Sequence, residues 1–191
     1  MKNKVSDFCE FNAAPYSIEE HIHRFSAWTA GRAASVNGFR FTVHQAKVVI
    51  EAIGLNMILA DPANLPSPKN FDSQHKEWRN TIVTAFTLPG RKCTHGVAAK
   101  LINVYLKTAF VCSRFHTHIN VQSIHPPIDR ILLTELLKRK IGQDIFCWKQ
   151  ALKIGWSKFD SDEYQMVIDN IRRSIPNRPM WEIEQYWKGH Q

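Results

Sequence analysis

Long apolar runs are missing from these 191 residues. No stretch approaches the roughly 20 consecutive apolar residues that a membrane-spanning helix needs. The N-terminal stretch MKNKVSDFCEFN has no apolar core of the kind a secretory leader carries. Cysteine is scarce and scattered: Cys9, Cys93, Cys112 and Cys147 include no C-x-x-C pair. That pattern excludes a disulfide framework and predicts reduced thiols in a cytoplasmic protein. Period-two alternation, internal repeats and low-complexity tracts are also absent. Acidic residues run short, with 17 Asp plus Glu against 25 Lys plus Arg, a formal charge of +8 and a pI near 9.5. A domain this basic attracts polyanions, nucleic acid foremost. An anionic membrane surface would call for a basic amphipathic helix free of core duties, and none stands out. The hydrophobic fraction of 44% and the charged fraction of 22% are those of a globular chain. They exclude disordered, collagen-like and coiled-coil classes.

What the sequence does have is helical spacing almost throughout, which predicts an all-α, compact multi-helix domain of about eight helices. Ser17 to Glu20 reads as a capping box opening a helix with Ile18, Ile22, Phe25 and Ala33 on it. Thr42 to Gln45 is a second box, before Val43, Ala46, Val49, Ile50 and Ile53, with Gly54 as the stop. Further helices are expected over 72–88, 95–112, 128–140, 144–156, 160–174 and 179–188. Pro62, Pro66 and Pro68 mark residues 55–71 as a loop. The chain therefore reads as a single domain over 1–191, with a division into lobes 1–60 and 72–191 across that loop.

One region holds the makings of a site. Leu88-Pro89-Gly90 is followed by His95-Gly96-Val97-Ala98-Ala99-Lys100, and later by His125-Pro126-Pro127-Ile128-Asp129-Arg130. Free amides at a glycine turn and a helix start bind phosphate oxygens. A lysine beside an apolar stripe is partly desolvated, which lowers its pKa and makes the neutral amine a nucleophile. An aspartate at a helix start is held ionised by the helix dipole. It is then placed to stabilise a cation or activate an amine or water.

These motifs resemble those of the helix-hairpin-helix DNA glycosylase superfamily, in which a glycine hairpin leads into a G-V-G-x-K helix start and a P-V-D motif follows a loop later. Gly96-Val97-Ala98-Ala99-Lys100 and Pro127-Ile128-Asp129 match in part, with Ala98 in place of the second glycine and Arg91 to His95 interposed after Leu-Pro-Gly. The motif region covers residues 88–137. The resemblance implies a compact, divergent relative of the 8-oxoguanine DNA glycosylases, a monomer acting on double-stranded DNA and associated with the nucleoid. Lys100 would be the Schiff-base nucleophile and Asp129 its partner, with no cofactor. The base would be an oxidised purine or a phage-type modified pyrimidine such as glucosylated hydroxymethylcytosine, the latter in anti-phage defence. Gly96, Arg91, Lys92, Lys107 and Arg130 are the expected DNA contacts, with Arg114 a further basic neighbour. Base extrusion calls for an aromatic pocket, for which Trp28, Arg32 and His125 are candidates beside Trp148, Trp156, Trp181 and Trp187. Trp181, Tyr186 and Trp187 also read as residues fastening the last helix.

Plainer roles stand beside these. Lys100 also fits an ordinary solvated helix lysine, with Lys107 as its rival, and Asp129 fits a simple helix cap. His21/His23 and His116/His118 are H-x-H pairs, but no second cluster has zinc spacing, so no metal site is expected. Two other functions fit the charge: a non-catalytic helical nucleic-acid-binding protein, and a ribonuclease-type defence effector using His116, His118 or His125.

Overall fold

The computed structural model describes residues 16–87 and 92–189. Among them the protein is all-α, with eight α-helices and an isolated bridge between Val36 and Phe39 in place of any strand. The helices are α1 (Ile18–Ala34), α2 (Val43–Ala52), α3 (Phe71–Ala85), α4 (His95–Leu106), α5 (Ile119–Gln122), α6 (Arg130–Lys138), α7 (Ile145–Ile154) and α8 (Ser161–Ser174). No helix among the described residues is long and apolar enough to cross a membrane.

The caps behave as their side chains dictate. The Thr42/Gln45 box closes in both directions. The Ser17 box closes in one: Ser17 accepts from the Glu20 amide, while the Glu20 carboxylate turns to Arg24 instead. Gly54 ends the second helical stretch at φ +76°, a conformation in which a side chain would be strained. The expected start of the sixth helix moves: Pro126 to Ile128 are extended, and the helix begins only at Arg130, with Asp129 as its N-cap. The segment expected as a last α-helix is a 3-10 helix over Met180–Tyr186. Its buried residues are Met180 and Ile183. Three residues per turn align i with i+3, so the tighter helix keeps both on one face.

Two apolar clusters share helix α4. The first gathers Ala27, Ala30, Ile50, Leu55, Leu65, Phe71, Ile82, Leu101, Ile102 and Tyr105; the second gathers Ala99, Leu132, Leu136, Trp148, Phe159, Ile168 and Ile183. Every residue of α4 from Gly96 to Leu106 is buried, because the first cluster covers one side and the second the other. An apolar stripe on one face was expected; a helix wrapped on all sides is what the fold needs at its centre. In the segment 55–71, Leu55, Leu59 and Leu65 belong to the first cluster, so it contributes to the core; the second cluster draws, Ala99 apart, on residues from Ile128 onward. Helix α4 ends in a π-helical turn over Lys107–Val111, marked by the Cys112 amide reaching the Lys107 carbonyl at 2.9 Å.

Candidate active site

Lys100 and Asp129, predicted from separate motifs, face each other. Helix α4 carries Lys100 in its second turn, and the extended segment before α6 delivers Asp129, whose Oδ2 accepts a hydrogen bond from Lys100 Nζ at 3.2 Å. The same Oδ2 accepts from Trp187 Nε1 at 2.9 Å, while Oδ1 caps the Leu132 amide at 2.9 Å. Capping and the Lys100 contact therefore use different oxygens of one carboxylate. The Lys100 side chain is only 8% exposed and that of Asp129 20%. Burial lowers the Lys100 pKa from its ordinary value, against the opposing pull of Asp129 and, further off, Glu184. The amine is thus more readily neutral than a surface lysine, while its nearest acceptor stays at hand.

The pair opens into a cleft of about 400 Å³, within the range of roughly 300–1,000 Å³ usual for small-ligand sites. Trp156 and Trp187 form two walls, Thr29 and Ala33 of α1 a third, and Val104, Thr108 and Pro127 complete the apolar lining. Lys100 Nζ lies 5.5 Å from the Trp156 ring centre. Lys107, in the π-helical turn, pairs with Glu184 and sits 5.8 Å from the Trp187 ring centre. Burial raises the Glu184 pKa, and Lys107 opposes the rise. The site thus holds two lysines and two carboxylates on aromatic walls. Its chemistry is that of an amine nucleophile, an anion beside it, and a π-faced slot for a planar group.

Glu184, Thr29, Ala33, Val104 and Thr108 were not anticipated from the sequence. Glu184 lies in a terminal 3-10 segment without a motif, and only the docking of that segment brings it to Lys107. Trp156 and Trp187 stood among the aromatic candidates with nothing to single them out.

The phosphate role expected of Gly96 is not supported. Its amide donates to the Phe159 carbonyl at 3.1 Å and the residue is buried. Thr94 meanwhile caps the Val97 amide and donates to the Ser157 carbonyl at 2.7 Å. The glycine is required for packing: a Cβ there would fall 1.8 Å from the Trp156 carbonyl oxygen. Leu88 to Arg91 lie outside the described residues, as does Cys9. Lys92 and Arg130 are exposed. Trp28 and Arg32 are exposed on α1, beside the cleft-lining Thr29 and Ala33 but not in the lining.

His125 does not line the cleft either; it is fully buried in a polar chain of fixed direction. Arginine can only donate, so Arg79 Nε gives its hydrogen to His75 Nδ1 at 3.1 Å, and His75 Nε2 donates to Asn103 Oδ1 at 2.8 Å. Asn103 Nδ2 donates to Tyr164 Oη at 2.9 Å, Tyr164 donates to His125 Nδ1 at 3.1 Å, and His125 Nε2 donates to Asp72 at 2.9 Å. Burial lowers the pKa of both histidines, in keeping with neutral rings. This chain ties α3, α4 and α8 together. Asn103 also donates to the Pro126 carbonyl at 3.0 Å. Helix α4 therefore carries Lys100 and, three residues on, the clamp for the segment that presents Asp129.

Four further histidines are engaged elsewhere, while His95 Nδ1 is buried without a hydrogen-bond partner among the described residues. His23 bonds Tyr105 and Glu51, His21 bonds Tyr16, His118 caps α5 and His116 meets the Ser113 carbonyl. Among the described residues no group of three metal-ligating side chains is assembled. Cys112 and Cys147 are free thiols. The chain matches no family profile, no curated protein and no solved structure with which it was compared.

Proposed function

We propose that this protein is a DNA glycosylase of helix-hairpin-helix type, acting as a monomer on duplex DNA of the nucleoid. It extrudes a modified base into the cleft and breaks the N-glycosidic bond. The observation that carries this reading is the contact of Lys100 with Asp129 at 3.2 Å on the wall of an open, tryptophan-lined cleft. A buried amine against a carboxylate, open to a slot for a planar ring, suits attack at a sugar carbon. The neutral Lys100 amine attacks C1′, the C1′–N bond breaks, and its electron pair leaves with the base, which takes up a proton. Asp129 stabilises the positive charge that builds on the sugar, and its Oδ2 is the nearest acceptor for the proton that Lys100 sheds. Opening of the sugar ring gives a Schiff base. Its β-elimination expels the 3′ phosphate, and water then frees Lys100. The base is an oxidised purine or a phage-type modified pyrimidine. Lys92 and Arg130, exposed and cationic, serve as phosphate contacts.

The test is borohydride trapping on labelled duplexes carrying 8-oxoguanine, uracil or glucosylated hydroxymethylcytosine, with unmodified duplex as control and alkali cleavage in parallel. A covalent adduct abolished by Lys100→Gln is the expected result. Alkali-labile sites without an adduct would move the chemistry to Asp129 and water. Binding with neither signal on any of these duplexes would refute the enzymatic reading and favour a helical nucleic-acid-binding protein.

A further inference from the structure

The outer face of α1, with Tyr16 just before it, carries aromatic rings and arginines together. Tyr16 is 61% exposed, Phe25 53% and Trp28 42%, although buried rings were available to the core elsewhere. They are arranged in contact: Phe25 and Trp28 lie 5.8 Å apart between ring centres, and the Arg32 guanidinium sits 5.5 Å over the Trp28 ring. Arg24 sits 5.1 Å over Tyr16. Residues 25, 28 and 32 fall on one face of the helix by their spacing. An arginine laid flat on a ring keeps its edge N–H groups for an outside acceptor. Arg24 is paired with Glu20, whereas no carboxylate among the described residues pairs with Arg32. Thr29 and Ala33, the chain neighbours of Trp28 and Arg32, line the cleft, so the ridge lies on the adjoining face of α1.

We propose that this ridge is a stacking platform for a single DNA strand. Exposed π-faces interleaved with guanidinium groups suit unpaired bases and their phosphates. A duplex keeps its base faces stacked inward and offers such rings nothing to stack on. The net charge of +8 favours a polyanion. The proposal rests on the reading of the chain as DNA-binding, but neither on Lys100 chemistry nor on a duplex substrate.

The probe is an eight-residue oligodeoxythymidylate, with a blunt duplex of equal length as control, followed by tryptophan fluorescence of the full chain. The oligonucleotide should quench wild-type emission, and the duplex should do so far less. Trp28→Phe should lose that quench while holding most of the affinity by a competition assay. Trp28→Ala should weaken binding by about tenfold or more, as loss of one stacked base does. Arg32→Ala should lower the salt slope by about 0.7, the value for one phosphate on a single strand. These positions are exposed, so unchanged helicity by circular dichroism will establish that the variants fold. Equal quenching of wild type and Trp28→Phe, or equal affinity in Trp28→Ala, would overturn the platform. Quenching lost in Trp156→Phe but kept in Trp28→Phe would place the strand in the cleft instead. Failure of base release with the quench retained would refute the glycosylase and leave the platform standing.

Discussion

Replacing Asp129 separates the two duties that one carboxylate performs. Asparagine caps a helix about as well as aspartate, so Asp129→Asn keeps the bond to the Leu132 amide and removes the charge and the acceptor that face Lys100 and Trp187. Asp129→Ala removes both. The cap contributes about 1 kcal/mol. Stripping a buried pair of one partner costs about 3–5 kcal/mol, and the 20% exposure of Asp129 together with the readiness of Lys100 to shed its proton points to the lower end of that range. Asp129→Ala should therefore cost roughly 3–4 kcal/mol, and Asp129→Asn about 2–3, because the one amide oxygen keeps the Leu132 cap while the NH2 group in place of Oδ2 accepts from neither Lys100 nor Trp187. At about 2–4 °C per kcal/mol for a chain of this size, the midpoints should fall by roughly 6–16 °C and 4–12 °C. In single-turnover base release both variants should lose about 10²-fold or more, the usual effect of removing a charge aimed at a developing cation. Thermal melts and single-turnover kinetics check the two halves. An Asp129→Asn variant that releases base at the wild-type rate would refute the chemical half. Equal destabilisation by Asn and Ala would refute the assignment of the cap.

Other expectations follow from the same geometry. Base release should rise through the alkaline range with an apparent pKa below 10.5, because burial lowers the Lys100 pKa; a profile flat to pH 10 would contradict a lysine nucleophile. The linked effect on stability has a definite sign: between the folded and unfolded pKa of Lys100 the unfolded chain binds more protons, so stability rises with pH there, and Lys100→Met should remove that slope in denaturant titrations. His75 and His125 are also lowered by burial, so stability should fall as pH drops below about 6.5, where the unfolded chain protonates first; melts at pH 5 and 7 check it. Gly96→Ala should cost about 1–3 kcal/mol or more by overpacking, since its Cβ would meet the Trp156 carbonyl; an unchanged midpoint would refute the packing described around α4. Arg79 Nε is the donor to the buried His75 Nδ1, so Arg79→Met should cost about 1–3 kcal/mol by leaving that acceptor without a partner, and an unchanged midpoint in a melt would refute the direction assigned to the polar chain.

The sequence alone determined the elements and the central pair. Capping residues, apolar spacing and glycine stops are local instructions, read within one or two turns, and they located most of the helices closely. Lys100 and Asp129 stood out because each has a local reason for its position: one follows a helix start by one turn, the other begins a helix. What only the tertiary structure decided is everything that depends on two distant segments meeting. Whether α4 is wrapped on one side or all sides turns on how many neighbours reach it, which its own spacing does not encode. Gly96 reads locally as a phosphate turn, yet the Trp156 backbone, 60 residues on, makes it a packing glycine. His125 reads as a site residue, yet Asp72 and Tyr164 draw it into the core. Glu184 and Trp187 become cleft walls only because the terminal 3-10 segment docks across the end of α4. Periodicity specifies which face of an element is apolar, whereas burial and long-range hydrogen bonding specify which face it meets, and a site is made of such meetings.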